Sequence, residues 1–137
     1  MSHSRRILVA EDDAGVRDLI RTRLNAAGYD THTAHDGLEA VRRILELRPN
    51  GLILDINMPG LDGFGVLEAI SADANLMTTR VLVLTARHAA DDVKRAVALG
   101  AKDFLTKPFN ENQLIVRVAR LLRAPIAVPA NGNDLLV

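Results

Sequence analysis

Four short apolar runs in this 137-residue chain end on residues able to do chemistry. Glu11 and Asp12 follow Ile7-Leu8-Val9-Ala10, and Asp55 follows Leu52-Ile53-Leu54. Thr85 follows Val81-Leu82-Val83-Leu84, and Lys107 stands ahead of Pro108, just beyond Asp103-Phe104-Leu105. If the first and third runs are neighbouring strands, the three carboxylates converge. Two such charges ~4 Å apart repel by about 4 kcal/mol at an effective dielectric of 20. A raised pKa relieves this, and a divalent cation that prefers hard oxygen ligands relieves it better; Mg²⁺ suits a few carboxylates completed by water and a phosphoryl oxygen. A hydroxyl and an ammonium facing that centre would bind the oxygens of a tetrahedral anion while a carboxylate attacks it. Each residue alone has a plainer reading. An acidic residue after a strand is most often a helix N-cap, the part expected of Asp13, and a lone Thr or Lys there is usually structural. The argument for a site lies in all four positions sharing one edge.

Such an edge requires a parallel sheet, and the rest of the chain supplies one. Strands are expected at 7–10, 29–34, 52–54, 81–84 and 103–105. Between them, apolar residues recur at helical spacing: Val16, Leu19, Ile20, Leu24 and Ala27 before Gly28, then 38–47 before Pro49. Further helices are expected at 64–71 after the Gly/Pro-rich loop 58–63, around Val93, Ala96 and Val97 before Gly100, and at 114–122. Five βα units predict an α/β fold, a doubly wound five-stranded parallel sheet; the order 2-1-3-4-5, as in flavodoxin-like folds, is the one that would make the first and third strands neighbours. In such sheets the ligand crevice lies beyond the carboxyl ends of the strands. Residues 1–4 read as an arm, 5–123 as the folded domain, and 124–137 (APIAVPANGNDLLV) as a disordered tail or linker stub.

Composition narrows the function. Lys+Arg and Asp+Glu both number 17, so no bulk charge draws the chain to nucleic acid or membrane. No apolar run approaches the ~18 residues of a membrane span, and the N-terminus lacks a secretory pattern, so a cytoplasmic location is expected. The absence of cysteine removes disulfides, thiolate metal sites and thiol nucleophiles.

At ILVAEDD, LILDINMPGLDG, VLVLTA and GAKDFLTKPF, in that order, the chain resembles the receiver domain of bacterial two-component response regulators, CheY-like in fold. The spacing of 30 residues from Asp55 to Thr85 and 22 more to Lys107 belongs to that resemblance, which covers about residues 5–123. It implies a phosphoacceptor signalling domain rather than an enzyme proper, assisting only its own phosphorylation and dephosphorylation. Asp55 resembles the phosphoacceptor, served by a sensor histidine kinase, a phosphotransfer protein or a small phosphodonor. Glu11 and Asp12 resemble the acidic pair that holds Mg²⁺ together with Asp55, Glu11 standing where many members have Asp. Asn57 matches the position whose backbone carbonyl is a further ligand. Thr85 resembles the switch hydroxyl, Lys107 the lysine that pairs with the phosphoryl group, and Phe104 the aromatic switch residue. Pro108 is expected after a cis peptide bond. Arg87 lies close enough to influence water access.

The last helix is unusually apolar, so Ile115 or Val116 could face a partner, with simple packing as the alternative. Its Arg117, Arg120 and Arg123 form a basic stripe. Arg95, Asp103 and Arg117 match part of the charged pattern by which the winged-helix group dimerises, whereas Lys102 stands where that group usually carries an acidic residue. A phosphorylation-dependent homodimer therefore joins the expected partners. A stand-alone regulator acting on a downstream protein is the preferred reading; the alternative is the receiver of a larger, DNA-binding regulator whose output domain is missing. No recognition helix follows residue 123, so no nucleic-acid binding is expected of this chain itself. A flavin carrier would need a phosphate loop where EDDAG stands, and an aspartyl-phosphate hydrolase an Asp where Asn57 stands. His3, His32, His35 and His88 read as surface residues.

Overall fold

The strands are apolar because helices cover both faces of the sheet they form. In the computed structural model, which describes residues 5–76, 78–86 and 89–123, the sheet comprises β1 (Arg6–Ala10), β2 (Asp30–Ala34), β3 (Gly51–Asp55), β4 (Arg80–Ala86) and β5 (Asp103–Lys107). All neighbours are parallel, in the order β2-β1-β3-β4-β5. The helices are α1 (Ala14–Ala26), α2 (Gly37–Leu47), α3 (Gly63–Ser71), α4 (Ala90–Ala98) and α5 (Glu111–Arg123), with a 3₁₀ turn at Ala74–Leu76. The readings of the arm 1–4, the tail 124–137, Arg87, His3 and His88 fall outside the described residues.

Alternation along the strands divides the core in two. Leu8, Leu52, Leu54, Val81 and Val83 pack with Ile44, Val66 and Leu67 on the face covered by α2 and α3. Ile7, Val9, Ile53, Leu82 and Leu84 pack with Ile20, Leu24, Leu114 and Val118 on the face covered by α1 and α5. The two edge strands, β2 (DTHTA) and β5 (DFLTK), are polar enough to stay mostly half-buried. Asp13, Asp36 and Asp62 cap α1, α2 and α3, each accepting a backbone N–H of the first turn. Gly28, with φ +98°, supplies the left-handed residue after α1 that the sequence pattern requires. At the far end of the sheet, the guanidinium groups of Arg5 and Arg80 donate to the Leu122 carbonyl at 3.2 and 3.4 Å, fastening the end of α5 to the starts of β1 and β4.

Two strands outrun their apolar patterns. β4 continues through Thr85 and Ala86, and β5 through Thr106 and Lys107, because Thr85 pairs with Thr106 and Ala86 with Lys107 in the ladder. Hydropathy misses this since the added residues are polar or small. On α5, Leu114, Val118, Leu121 and Leu122 are buried, Ile115 packs against the core, and Val116 stands 58% exposed. Among the described residues no helix is long and apolar enough to cross a membrane.

Candidate functional site

Parallel pairing of β1 with β3 sets Ala10 opposite Leu54, so the next residues, Glu11 and Asp55, arrive side by side at the carboxyl edge. Glu11 is fully buried and Asp55 nearly so, whereas Asp12 is exposed. One carboxylate oxygen from each of the three lies within 4.8 Å of the others. Lys107, carried to the same edge by the extension of β5, places Nζ 2.8 Å from Glu11 Oε1 and 3.4 Å from Asp55 Oδ2. The bond from Lys107 to Pro108 is cis, as expected. Asp55 Oδ1 accepts the Asn57 amide at 3.1 Å, which folds the loop after β3 back over the carboxylate. Gly63 closes that loop: a Cβ there would stand 2.6 Å from Ile56 Cα and 2.7 Å from the Asp55 carbonyl oxygen. No other residue type fits so near the backbone that carries Asp55.

The electrostatics follow from crowding. Burial pushes the Glu11 carboxyl up to about 7, and proton sharing with Asp55 adds to this, while Lys107 pulls the other way. For Lys107, burial alone would lower the ammonium; the close approach of the Glu11 carboxylate and the charge of Asp55 outweigh it and hold the group above its ordinary value. Glu11 Oε1 lies against Lys107 yet makes no hydrogen bond of good geometry. A buried acceptor left short of donors, beside two further hard oxygen donors, is the environment a small divalent cation satisfies; the three residues fit Mg²⁺. They border a cavity of about 620 Å³ whose apolar rim comprises Val16, Leu19, Pro108 and Phe109, residues without a chemical signature in the sequence.

Thr85 is placed differently from the other candidates. Although buried, it does not border the acidic cavity, where Ala86 takes its place. Its hydroxyl makes a long contact of 3.4 Å with the Ala86 carbonyl. It lines a second cavity of about 400 Å³ under α4, shared with Val93, Lys94 and Phe104. Phe104 is 36% exposed and borders that space. The charged residues of the dimer pattern find partners within the chain: Arg117 pairs with Asp103 at 2.8 Å, and Arg95 lies 4.1 Å above the Phe64 ring and 3.9 Å from Glu68. His35 is exposed, as expected. His32 is not a surface residue but half-buried, held between Asp30 at 3.1 Å and Arg43 at 3.3 Å, because β2 and α2 pack across it.

The profile of the response regulator receiver domain matches residues 7–119, and the chain belongs to that family, a signalling domain for which phosphorylation is a general property. The chain is similar to the transcriptional regulatory protein PrrA of Mycobacterium leprae, with 40% identity over 131 residues, which are 96% of this chain and 55% of that protein. Two solved structures share the fold. The chemotaxis response regulator CheY4 of Vibrio cholerae has a TM-score of 0.82 at 30% identity, covering 87% of this chain and 99% of that one. The receiver domain of the Francisella response regulator 1452 has a TM-score of 0.80 at 33% identity, covering 88% and 98%. The chain spans about half the length of the curated relatives it matches.

Proposed function

We propose that this receiver is a Mg²⁺-dependent phospho-switch in which Asp55 is the phosphoacceptor. The observation that carries the reading is the meeting of Glu11, Asp12 and Asp55 within 4.8 Å, with Lys107 reaching two of them. An Asp55 carboxylate oxygen attacks phosphorus, forming the acyl phosphate as the bond from phosphorus to the donor breaks. The donor's leaving group departs with the electron pair: an imidazole from a histidine kinase or phosphotransfer protein, or acetate from acetyl phosphate. Bound Mg²⁺, held by Glu11, Asp12, Asp55 and the Asn57 carbonyl, would supply charge neutralisation for carboxylate and phosphoryl oxygens. Lys107 is already placed to pair with a phosphoryl oxygen on Asp55.

Phosphorylation replaces one charge on Asp55 by about two and adds acceptor oxygens. Thr85 meets them only by turning away from the cavity under α4, and Phe104 then has that space to enter. Movement at β4, α4 and β5 is thus the output, directed at a protein target or an output domain. The similarity to transcriptional regulators about twice as long favours an output domain over stand-alone action. Residues 5–123 are the switching unit in either case. Intact mass after incubation with acetyl phosphate and Mg²⁺ tests the reading: one phosphoryl adduct is expected on wild type, and none on Asp55→Asn or in EDTA. Equal adduct on Asp55→Asn would refute it.

A further inference from the structure

We propose that Arg17 is a positioning residue for the cation site, tying down the loop that carries Glu11 and Asp12; the inference rests on the Mg²⁺ reading given above. The first backbone bond of α1 runs from Arg17 N–H to the Asp13 carbonyl at 2.9 Å. The carbonyls of Glu11 and Asp12 precede that bond, so the helix offers them no donor. The Arg17 side chain turns back one helical turn and supplies it: Nη1 donates to Glu11 O at 2.8 Å and to Asp12 O at 3.3 Å. Among the described residues no carboxylate lies within 4.0 Å of this half-buried guanidinium, whereas Arg21 on the same helix pairs with Asp18 at 3.2 Å. Its charge-assisted bonds go to two neutral oxygens of a single loop.

The reason is repulsion. Glu11 and Asp55 are fixed by burial, and Glu11 is further held because Oε2 accepts the Asp13 amide at 3.3 Å. Asp12 is exposed and lacks any such side-chain bond among the described residues, so only its main chain sets its direction. Without a restraint the loop would relieve the crowding by swinging Asp12 outward, and an incoming cation would have to draw it back. Arg17 holds both carbonyls and keeps the third carboxylate within the cluster. Groups that orient metal ligands commonly change affinity by about 10- to 100-fold when removed.

The test uses the full chain: Mg²⁺ titration by calorimetry at pH 8 and amide exchange of Asp13 in EDTA. Arg17→Ala is expected to weaken Mg²⁺ binding by about 10-fold or more and to speed exchange at the Asp13 amide, which Glu11 Oε2 accepts, with Arg17→Lys recovering part of each and Arg21→Ala changing neither. A Mg²⁺ affinity for Arg17→Ala within about twofold of wild type overturns the inference. If Arg17→Ala does not fold, Arg17→Met decides, because it keeps the apolar stem and removes every donor; unchanged affinity there also overturns it. Binding lost in Asp12→Asn and Asp55→Asn but kept in Arg17→Ala removes the Arg17 role alone. A wild type that binds no Mg²⁺ removes the site reading and the Arg17 role together.

Discussion

Glu11 makes proton and metal compete for one buried carboxylate. With its pKa near 7 in the metal-free protein, the side chain carries about half a proton at neutral pH, and that proton must leave when Mg²⁺ enters. The expected consequence is an apparent Mg²⁺ affinity about tenfold higher at pH 8 than at pH 6, worth about 1.4 kcal/mol, with a plateau above. Calorimetry at pH 7 in two buffers of different ionisation enthalpy should register release of about half a proton per ion. The pH dependence of stability differs between the metal-free and metal-bound states. A folded pKa raised above its ordinary 4.5 contributes stability below 4.5, and that contribution is lost as pH rises through about 7. Metal-free protein should therefore melt lower from pH 5 to pH 8, while saturating Mg²⁺ removes the fall and widens the gap. Glu11→Gln should bind more weakly and without the slope. An affinity flat from pH 6 to pH 8, or an unchanged slope in Glu11→Gln, would refute the reasoning.

Other perturbations have definite signs. Gly63→Ala drives a Cβ into the backbone of Asp55 and Ile56, where no rotamer can yield; a loss of about 1–3 kcal/mol in urea unfolding is expected, with slower adduct formation because Asp55 itself is displaced. Asp13→Ala removes the N-cap bond to Val16 at 3.0 Å and should cost about 0.5–2 kcal/mol in the same assay. Asp55→Asn takes one charge out of a cluster where two charged carboxylates within 4.8 Å of each other would repel by about 3.5 kcal/mol or more at an effective dielectric of 20. In EDTA this variant should melt several degrees above wild type; an equal or lower Tm would mean that the lost pairing with Lys107 outweighs the repulsion.

Much of this was legible because the fold is written in short, unbroken apolar runs. ILVA, LILD and VLVL are buried on both faces, so their strands follow from hydropathy, whereas the pairing of β1 with β3 that joins Glu11 to Asp55 is a condition that the sheet order supplies. Features set by tertiary contact were not legible. Thr106 and Lys107 join a strand only because β4 lies beside them. His32 is half-buried because Arg43 covers it from α2. Arg17 looks like any charged residue on an exposed helix until its side chain is seen to return to the β1–α1 loop. Thr85 lines the cavity under α4 together with residues of α4 and β5, a grouping no local pattern encodes.

The bonds from Arg5 and Arg80 to the Leu122 carbonyl tie the foot of α5 to the base of the sheet, while the carboxylates gather at its crown. Both arginines stand at strand starts, the opposite end of the sheet from the carboxylates, and they tie the last turn of α5 to the sheet. The helix is hinged there like a mast stepped into a keel. A shift at the crown would therefore tilt α5 about its foot and displace its upper turns most, near Glu111 to Leu114. A partner reading that tilt gains most by gripping the top of α5 and its neighbours β5 and α4, and least by gripping the chain where it leaves the base.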